Sequence, residues 1–145
     1  MYSSFSREWE TPLDFFDTLD AKFHFTLDVC ATVSNAKCER YFTKAEDGLL
    51  QPWNGVCWMN PPYGHEISQW LKKAYESSLE DGAVVVCLLP ARTDTKWWHE
   101  YVIAHAERVE FLRGRLRFSG KNPAPFPSAL VIFGRSSLQN EEANS

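Results

Sequence analysis

Apolar positions along the chain change period several times, and each change marks an element. Leu13, Phe16, Leu19 and Phe23 recur at helical spacing behind Thr11-Pro12. A threonine can cap a helix and proline suits its first position, so a helix is predicted from there. Phe25 to Val29 reads as a short strand. Residues 30–55 show no clear period. Val56 to Met59 reads as a second strand. Ile67, Trp70, Leu71, Ala74, Tyr75 and Ser78 form a helical stripe that Glu80-Asp81-Gly82 ends. Ala83 to Leu89 is almost wholly apolar and rich in β-branched residues, the mark of a central strand buried on both faces, and Pro90 ends it. Asp94 is placed to cap a helix carrying Trp97, Trp98, Tyr101 and Val102. Val109 to Leu112, Leu116 to Phe118 and Ala129 to Phe133 read as strands, with a proline-rich loop over Asn122 to Pro127.

Strands alternating with helices imply an α/β fold with a mostly parallel sheet covered on both faces. Ligands of such sheets bind beyond the carboxyl ends of the strands. Asp28, Asn60 and the run from Pro90 to Asp94 are all expected at that edge. The 145 residues fit one domain, expected over 1–135, with a polar tail over 136–145 expected to be disordered. With 44% hydrophobic and 14% aromatic residues, the chain has the means for an ordinary core. No apolar run reaches the roughly 18 residues of a membrane span. Glu8, Glu10 and Asp14 interrupt any signal pattern, so no membrane association and a cytoplasmic location are expected.

Cys30, Cys38, Cys57 and Cys87 lack Cys-x-x-Cys spacing. They are expected to be buried, reduced thiols, and no metal is expected. The formal charge of −4 argues against indiscriminate phosphate binding. Residues 111–121 nevertheless hold Arg113, Arg115, Arg117 and Lys121 with no acid among them. Such a stripe is either a DNA-binding strip or a solvated hairpin.

The most informative chemistry is Asn60-Pro61-Pro62-Tyr63. Two prolines cannot continue a strand ladder, and each disfavours helix at the residue before it. The backbone must stop at the end of the strand and present an amide, free carbonyls and an aromatic ring. A planar aromatic amine bound there would donate to Asn60 Oδ1 and to the Pro61 carbonyl while Tyr63 stacks on its face. That arrangement suits methyl transfer to the exocyclic amino group of a base. The plain alternative is a Pro-Pro turn closed by a core tyrosine.

Several ordered stretches resemble the phage-type Dam family of DNA adenine methyltransferases. They are Glu8-Trp9-Glu10-Thr11-Pro12, Leu27-Asp28-Val29-Cys30-Ala31, Glu46-Asp47-Gly48-Leu49, Trp58-Met59-Asn60-Pro61-Pro62-Tyr63-Gly64, Leu88 to Thr95, and Gly114-Arg115-Leu116-Arg117-Phe118. The resemblance implies S-adenosylmethionine as donor and adenine of double-stranded DNA, flipped from the duplex, as acceptor, with direct in-line transfer. It implies a compact form of the seven-strand methyltransferase variant of the doubly wound, Rossmann-like sheet, in which the last strand is antiparallel. It places Trp9, Thr11 and Pro12 at the methionine end of the cofactor, Asp28 near the methionine amine and Asp47 at the adenine end. Asn60, Pro61, Pro62 and Tyr63 would then hold the base. Arg92, Lys96, Arg115 and Arg117 are the expected DNA contacts. The family resemblance also implies a phage or prophage origin in a bacterial host.

Two departures qualify this picture. Val29-Cys30-Ala31 stands where a glycine-rich loop is usual, with small Ala31 the residue expected to admit the cofactor. The interval from Asp28 to Asn60 is too short for the usual two helices and two strands, so Glu39 is the best candidate for the ribose contact. Rival readings are methylation of cytosine, RNA or protein glutamine, or an inactive DNA-binding module of the same fold. A cytosine enzyme more often has Ser or Asp in place of Asn60.

Overall fold

The computed structural model describes residues 10–118 and 122–135. Trp9, Lys121 and the tail from Ser136 lie outside them. The described residues form a mixed α/β structure around one sheet of five strands rather than seven, the stretch 30–55 adding no strand of its own to it. Its strands are β1 (Leu27–Asp28), β2 (Val56–Met59), β3 (Val84–Pro90), β4 (Arg108–Phe111) and β5 (Ser128–Phe133). The order across the sheet is β1-β2-β3-β5-β4. β1, β2 and β3 run parallel, in register Leu27 with Cys57 and Val56 with Val84. β5 is antiparallel to both β3 and β4 and lies between them, as expected of the last strand.

Alternation along the strands divides the core in two. Cys57, Met59, Val85, Cys87, Leu89, Val131 and Phe133 face one side. There they meet Ile67, Trp70, Leu71 and Ala74 of helix α2 (Ile67–Glu80), together with Trp98 and Val102. Trp58, Val84, Val86, Leu88, Leu130 and Ile132 face the other side. Phe16 and Leu19 of helix α1 (Leu13–Phe23) cover them, with Phe118, Ala124 and Phe126 from the long connection before β5. All seven residues of β3 are buried, as its apolar run predicts. Each such aliphatic side chain contributes about 1.5–3 kcal/mol by leaving water, so β3 and its neighbours anchor the sheet.

Several local expectations are corrected. Thr11 does not cap α1: Pro12 holds the cap position without a side-chain cap bond, and the Phe16 N–H donates to the Pro12 carbonyl at 3.0 Å. Leu13 is exposed rather than part of the apolar face. The helix after β3 contains a π-helical stretch over Trp98–Ile103, wider than the period of its apolar residues suggests. Asp94 does not cap it. Thr95 serves instead, its Oγ1 accepting from the Trp98 N–H at 3.3 Å. Leu116 to Phe118 forms no strand: the Ala124 N–H donates to the Leu116 carbonyl at 2.8 Å, which closes a loop with no strand beside it. Cys30, Cys57 and Cys87 are buried free thiols, whereas Cys38 is only half-buried. Burial raises the thiols of Cys38 and Cys57 to about 12, so both stay protonated.

The stretch 30–55 holds one 3₁₀ turn, Gly48–Leu50, and a single parallel bridge from Tyr41 to Asp28 on the outer side of β1. The bridge is reinforced by Asp28 N–H to the Arg40 carbonyl at 3.0 Å and Phe42 N–H to the Asp28 carbonyl at 2.9 Å. This bridge and the 3₁₀ turn are the regular elements of the interval between β1 and β2, which holds no α-helix. Gly48 packs closely against the chain just after β1. A Cβ built on it would collide with the Val29 carbonyl and crowd the Trp70 ring. The Trp53 indole N–H donates to the Gly48 carbonyl at 2.8 Å and locks the turn.

Candidate active site

The parallel register of β1, β2 and β3 brings their carboxyl ends to one edge. Asp28 is the last residue of β1, and Asn60 directly follows β2. Pro61 and Pro62 are buried and end the β2 ladder, so the Asn60 side chain is held at the edge rather than carried into a helix.

Asn60 is only 6% exposed and is gripped at both ends. Its Nδ2 donates to Thr11 Oγ1 at 3.1 Å, and the Tyr63 hydroxyl donates to its Oδ1 at 2.9 Å. The same hydroxyl lies 3.0 Å from the Leu88 carbonyl, so one proton is shared between two acceptors. Burial raises the Tyr63 hydroxyl well above the usual phenol range, so it remains a donor. The Tyr63 ring is half-buried and meets Phe126 edge to face at 5.6 Å.

Asp28 is 3% exposed. Its Oδ1 accepts from the Cys30 N–H at 3.3 Å and its Oδ2 from the Lys37 N–H at 3.0 Å. Burial raises its carboxyl from 3.8 to about 7, and the two N–H donors and the Lys37 charge offset only part of that effect. Glu10, Thr11, Asp28, Cys30, Asn35, Lys37, Trp58 and Asn60 line one tight cleft. The cleft thus unites three residues singled out from sequence, Thr11, Asp28 and Asn60. Asn35 and Lys37 were missed because they sit in the aperiodic stretch, and Glu10 because a lone acid before a helix carries no pattern of its own.

Other expected residues lie apart from this cleft. Ala31 is fully buried, and its N–H donates to the Phe42 carbonyl at 2.9 Å. Asp47 has a left-handed backbone (φ 55°), and its carboxylate caps its own 3₁₀ turn through the Leu49 N–H at 3.1 Å. Glu39 is exposed and shares a surface with Phe25, Thr26 and Arg40, near the amino end of β1 and away from the strand-end edge. Pro12 lines a wide groove with Asp14, Phe15, Thr18, Arg115, Leu116 and Arg117. Arg115 and Arg117 are exposed there, the former donating to the Ala124 carbonyl at 3.2 Å. Arg92 stands 5.8 Å over the Phe126 ring and frames a second small pocket with Tyr63, Gly64, Ile67, Pro90 and Trp97. Lys96 is largely exposed and pairs with Glu100 at 3.5 Å.

A buried amide and carboxylate at the ends of parallel strands, beside an arginine-bearing groove, define an α/β domain equipped to bind ligands at its strand-end edge. The family model described as DNA N-6-adenine-methyltransferase (Dam) matches residues 3–136, and the chain belongs to that family. It is 34% identical over 113 residues to a protein of Haemophilus phage HP1 (strain HP1c1) named DNA N-6-adenine-methyltransferase. That match covers 76% of this chain and 65% of the phage protein, so the chain spans less than two thirds of this relative. It is also 33% identical over 64 residues to "Putative methyltransferase YfdM" of Escherichia coli (strain K12), covering 39% of this chain and 70% of that protein. No helix of the described residues is long and apolar enough to cross a membrane.

Proposed function

We propose that this protein methylates the exocyclic amino group of adenine in double-stranded DNA, with S-adenosylmethionine as donor. The observation that carries the reading is the Asn60 amide, buried at the strand-end edge and fixed by Thr11 and Tyr63. Family membership and the name of the phage relative support the substrate. The sheet order, with antiparallel β5 between β3 and β4 and helical cover on both faces, supports the doubly wound methyltransferase fold in one domain over 1–135. The phage relative also supports action in a bacterial cytoplasm.

The cleft residues fit the donor. Asp28 is a buried acid whose side chain meets two backbone N–H groups, and a cationic ammonium beside it would restore its charge. Lys37 lines the same cleft and suits a carboxylate. When bound, S-adenosylmethionine supplies a methyl group on a positively charged sulfur. The chain does the rest by positioning. The adenine amino nitrogen is conjugated into its ring and is a poor nucleophile. Hydrogen bonds from that amine to Asn60 Oδ1 and the Pro61 carbonyl favour a pyramidal nitrogen with an available lone pair, and orientation supplies much of the rate. Pro62 keeps the turn rigid. Flipping the base from the duplex costs roughly a few kcal/mol. Stacking beside Tyr63, in the pocket it shares with Arg92 and Trp97, would return about 1–3 kcal/mol.

Tritiated cofactor and mixed-sequence duplex DNA should yield label in adenine. Label confined to cytosine, RNA or protein would overturn the reading. DNA contact by Arg92, Lys96, Arg115 and Arg117 is tested by measuring affinity against salt for four folded alanine variants. Loss of one phosphate contact should flatten the slope of log affinity against log salt by about one, whereas loss of a base contact should relax sequence preference. Arg115 and Arg117, exposed in the groove, should give the larger effects, and Lys96, already paired with Glu100, the smallest. Four unchanged variants would put the DNA surface elsewhere.

A further inference from the structure

Thr11 stands 49 positions before Asn60 and belongs to the approach to α1, where a threonine would ordinarily cap the helix. It leaves that task undone. Pro12 occupies the cap position without any side-chain bond, and the Thr11 hydroxyl lies 3.1 Å from Asn60 Nδ2. Both residues are nearly closed to solvent, at 5% and 6% exposure. A threonine turned from its local role and buried against the amide of another segment has a geometric task there.

We propose that Thr11 is a positioning residue for adenine methylation, holding the Asn60 amide in the orientation that presents Oδ1 to the acceptor amine. The inference rests on the proposed function and adds a residue to it. A carboxamide turns readily about its terminal bond, and its oxygen and nitrogen ends are nearly the same size. Only the oxygen end can accept from an amine; with the nitrogen end forward, donor would meet donor. Tyr63 holds Oδ1 from one side, but its hydroxyl has a second acceptor in the Leu88 carbonyl and can swing away. Thr11 then keeps the plane of the amide fixed through Nδ2. When an incoming amine donates to Oδ1, the Tyr63 hydroxyl can turn its hydrogen bond wholly to the Leu88 carbonyl, and the Thr11 bond remains. Thr11 also lines the cleft that contains Asp28, so one residue borders the proposed donor side and holds the amide proposed for the acceptor side.

The test compares Thr11→Val, which keeps the shape and removes the hydroxyl, with Thr11→Ser, which keeps the hydroxyl. Thr11→Val should lower kcat about ten- to a hundredfold at saturating cofactor, since Thr11 also lines the donor cleft, while the KM for DNA stays within about threefold, as expected of an interaction that matters in the transition state. Thr11→Ser should recover most of that loss. A second readout needs no turnover. The Asn60 side-chain NH₂ resonances of the free protein should exchange slowly with water in the wild type and Thr11→Ser, and faster in Thr11→Val. Unchanged kcat and unchanged amide exchange in a folded Thr11→Val protein would overturn the proposal. So would a serine variant as impaired as the valine one, or a loss confined to cofactor Kd. If the wild type methylates no adenine in DNA, the proposed function fails by itself, and amide exchange still decides whether Thr11 holds Asn60.

Discussion

Replacing Asn60 with alanine is expected to lower kcat by about a hundredfold or more, since loss of one preorganised partner of a reacting group commonly costs about 10²–10³. Cofactor affinity should stay nearly intact if, as proposed, the side chain meets the acceptor amine. The change also strips Thr11 and Tyr63 of a shared partner. Tyr63 retains the Leu88 carbonyl, whereas the buried Thr11 hydroxyl loses its bond to the amide. A modest loss of stability, about 1–3 kcal/mol, should accompany the catalytic defect. Calorimetric titration with cofactor, thermal melting and single-turnover kinetics separate the two effects. A folded variant with strongly weakened cofactor binding would mean that Asn60 serves the donor.

Asp28→Ala should do the opposite and act first on cofactor affinity. A charge-assisted hydrogen bond is worth about 1.5–3 kcal/mol, so the loss should be roughly ten- to a hundredfold. The wild type should also carry a pH signature. With its carboxyl at about 7, Asp28 is neutral below that pH and charged above it. Affinity for a cationic ligand should therefore rise with pH and level off above about 7, and Asp28→Asn should flatten that profile. In the free protein the sign for stability is reversed. The folded chain keeps a proton that the unfolded chain releases near 3.8, so this group's contribution is full at low pH and is lost as pH rises through about 7. A cofactor affinity independent of pH, together with an unaffected alanine variant, would leave Asp28 only its turn-forming bonds to Cys30 and Lys37.

The parts legible in sequence were those set by local chemistry. β2 and β3 showed as apolar runs ended by prolines, and the doubly buried β3 matched its lack of polar alternation. Asn60 was legible because it follows an apolar strand-like run and two prolines cannot continue a strand ladder. Residues 30–55 were not, because their order comes from backbone bonds and special dihedrals that leave no period. The bridge at Tyr41 uses main-chain groups of Arg40 and Phe42, and Asp47 turns left-handed without glycine. Glu39 was a choice made inside that stretch, and the chain carries it toward the amino end of β1. Leu116 to Phe118 had the composition of a strand, but its bond to Ala124 closes a loop instead. The Thr11–Asn60 bond spans 49 positions, and no local pattern announces a contact of that range.

The position of β5 has a consequence for how the chain comes off the ribosome. β3 is paired on one side with β2, made earlier, and on the other with β5, made last, in register Pro90 with Ser128 and Val85 with Phe133. Every residue gathered at the cleft is synthesised before that second ladder can exist. Until Ser128 to Phe133 emerge, the most apolar strand of the molecule has an open edge, the kind of template that recruits other chains. β4 must wait as well, since among the described residues it pairs with β5 alone. Nascent chains stalled before Ser128 would therefore carry the chemistry of the site on an unfinished, adhesive sheet, and six late residues decide whether it becomes a working domain.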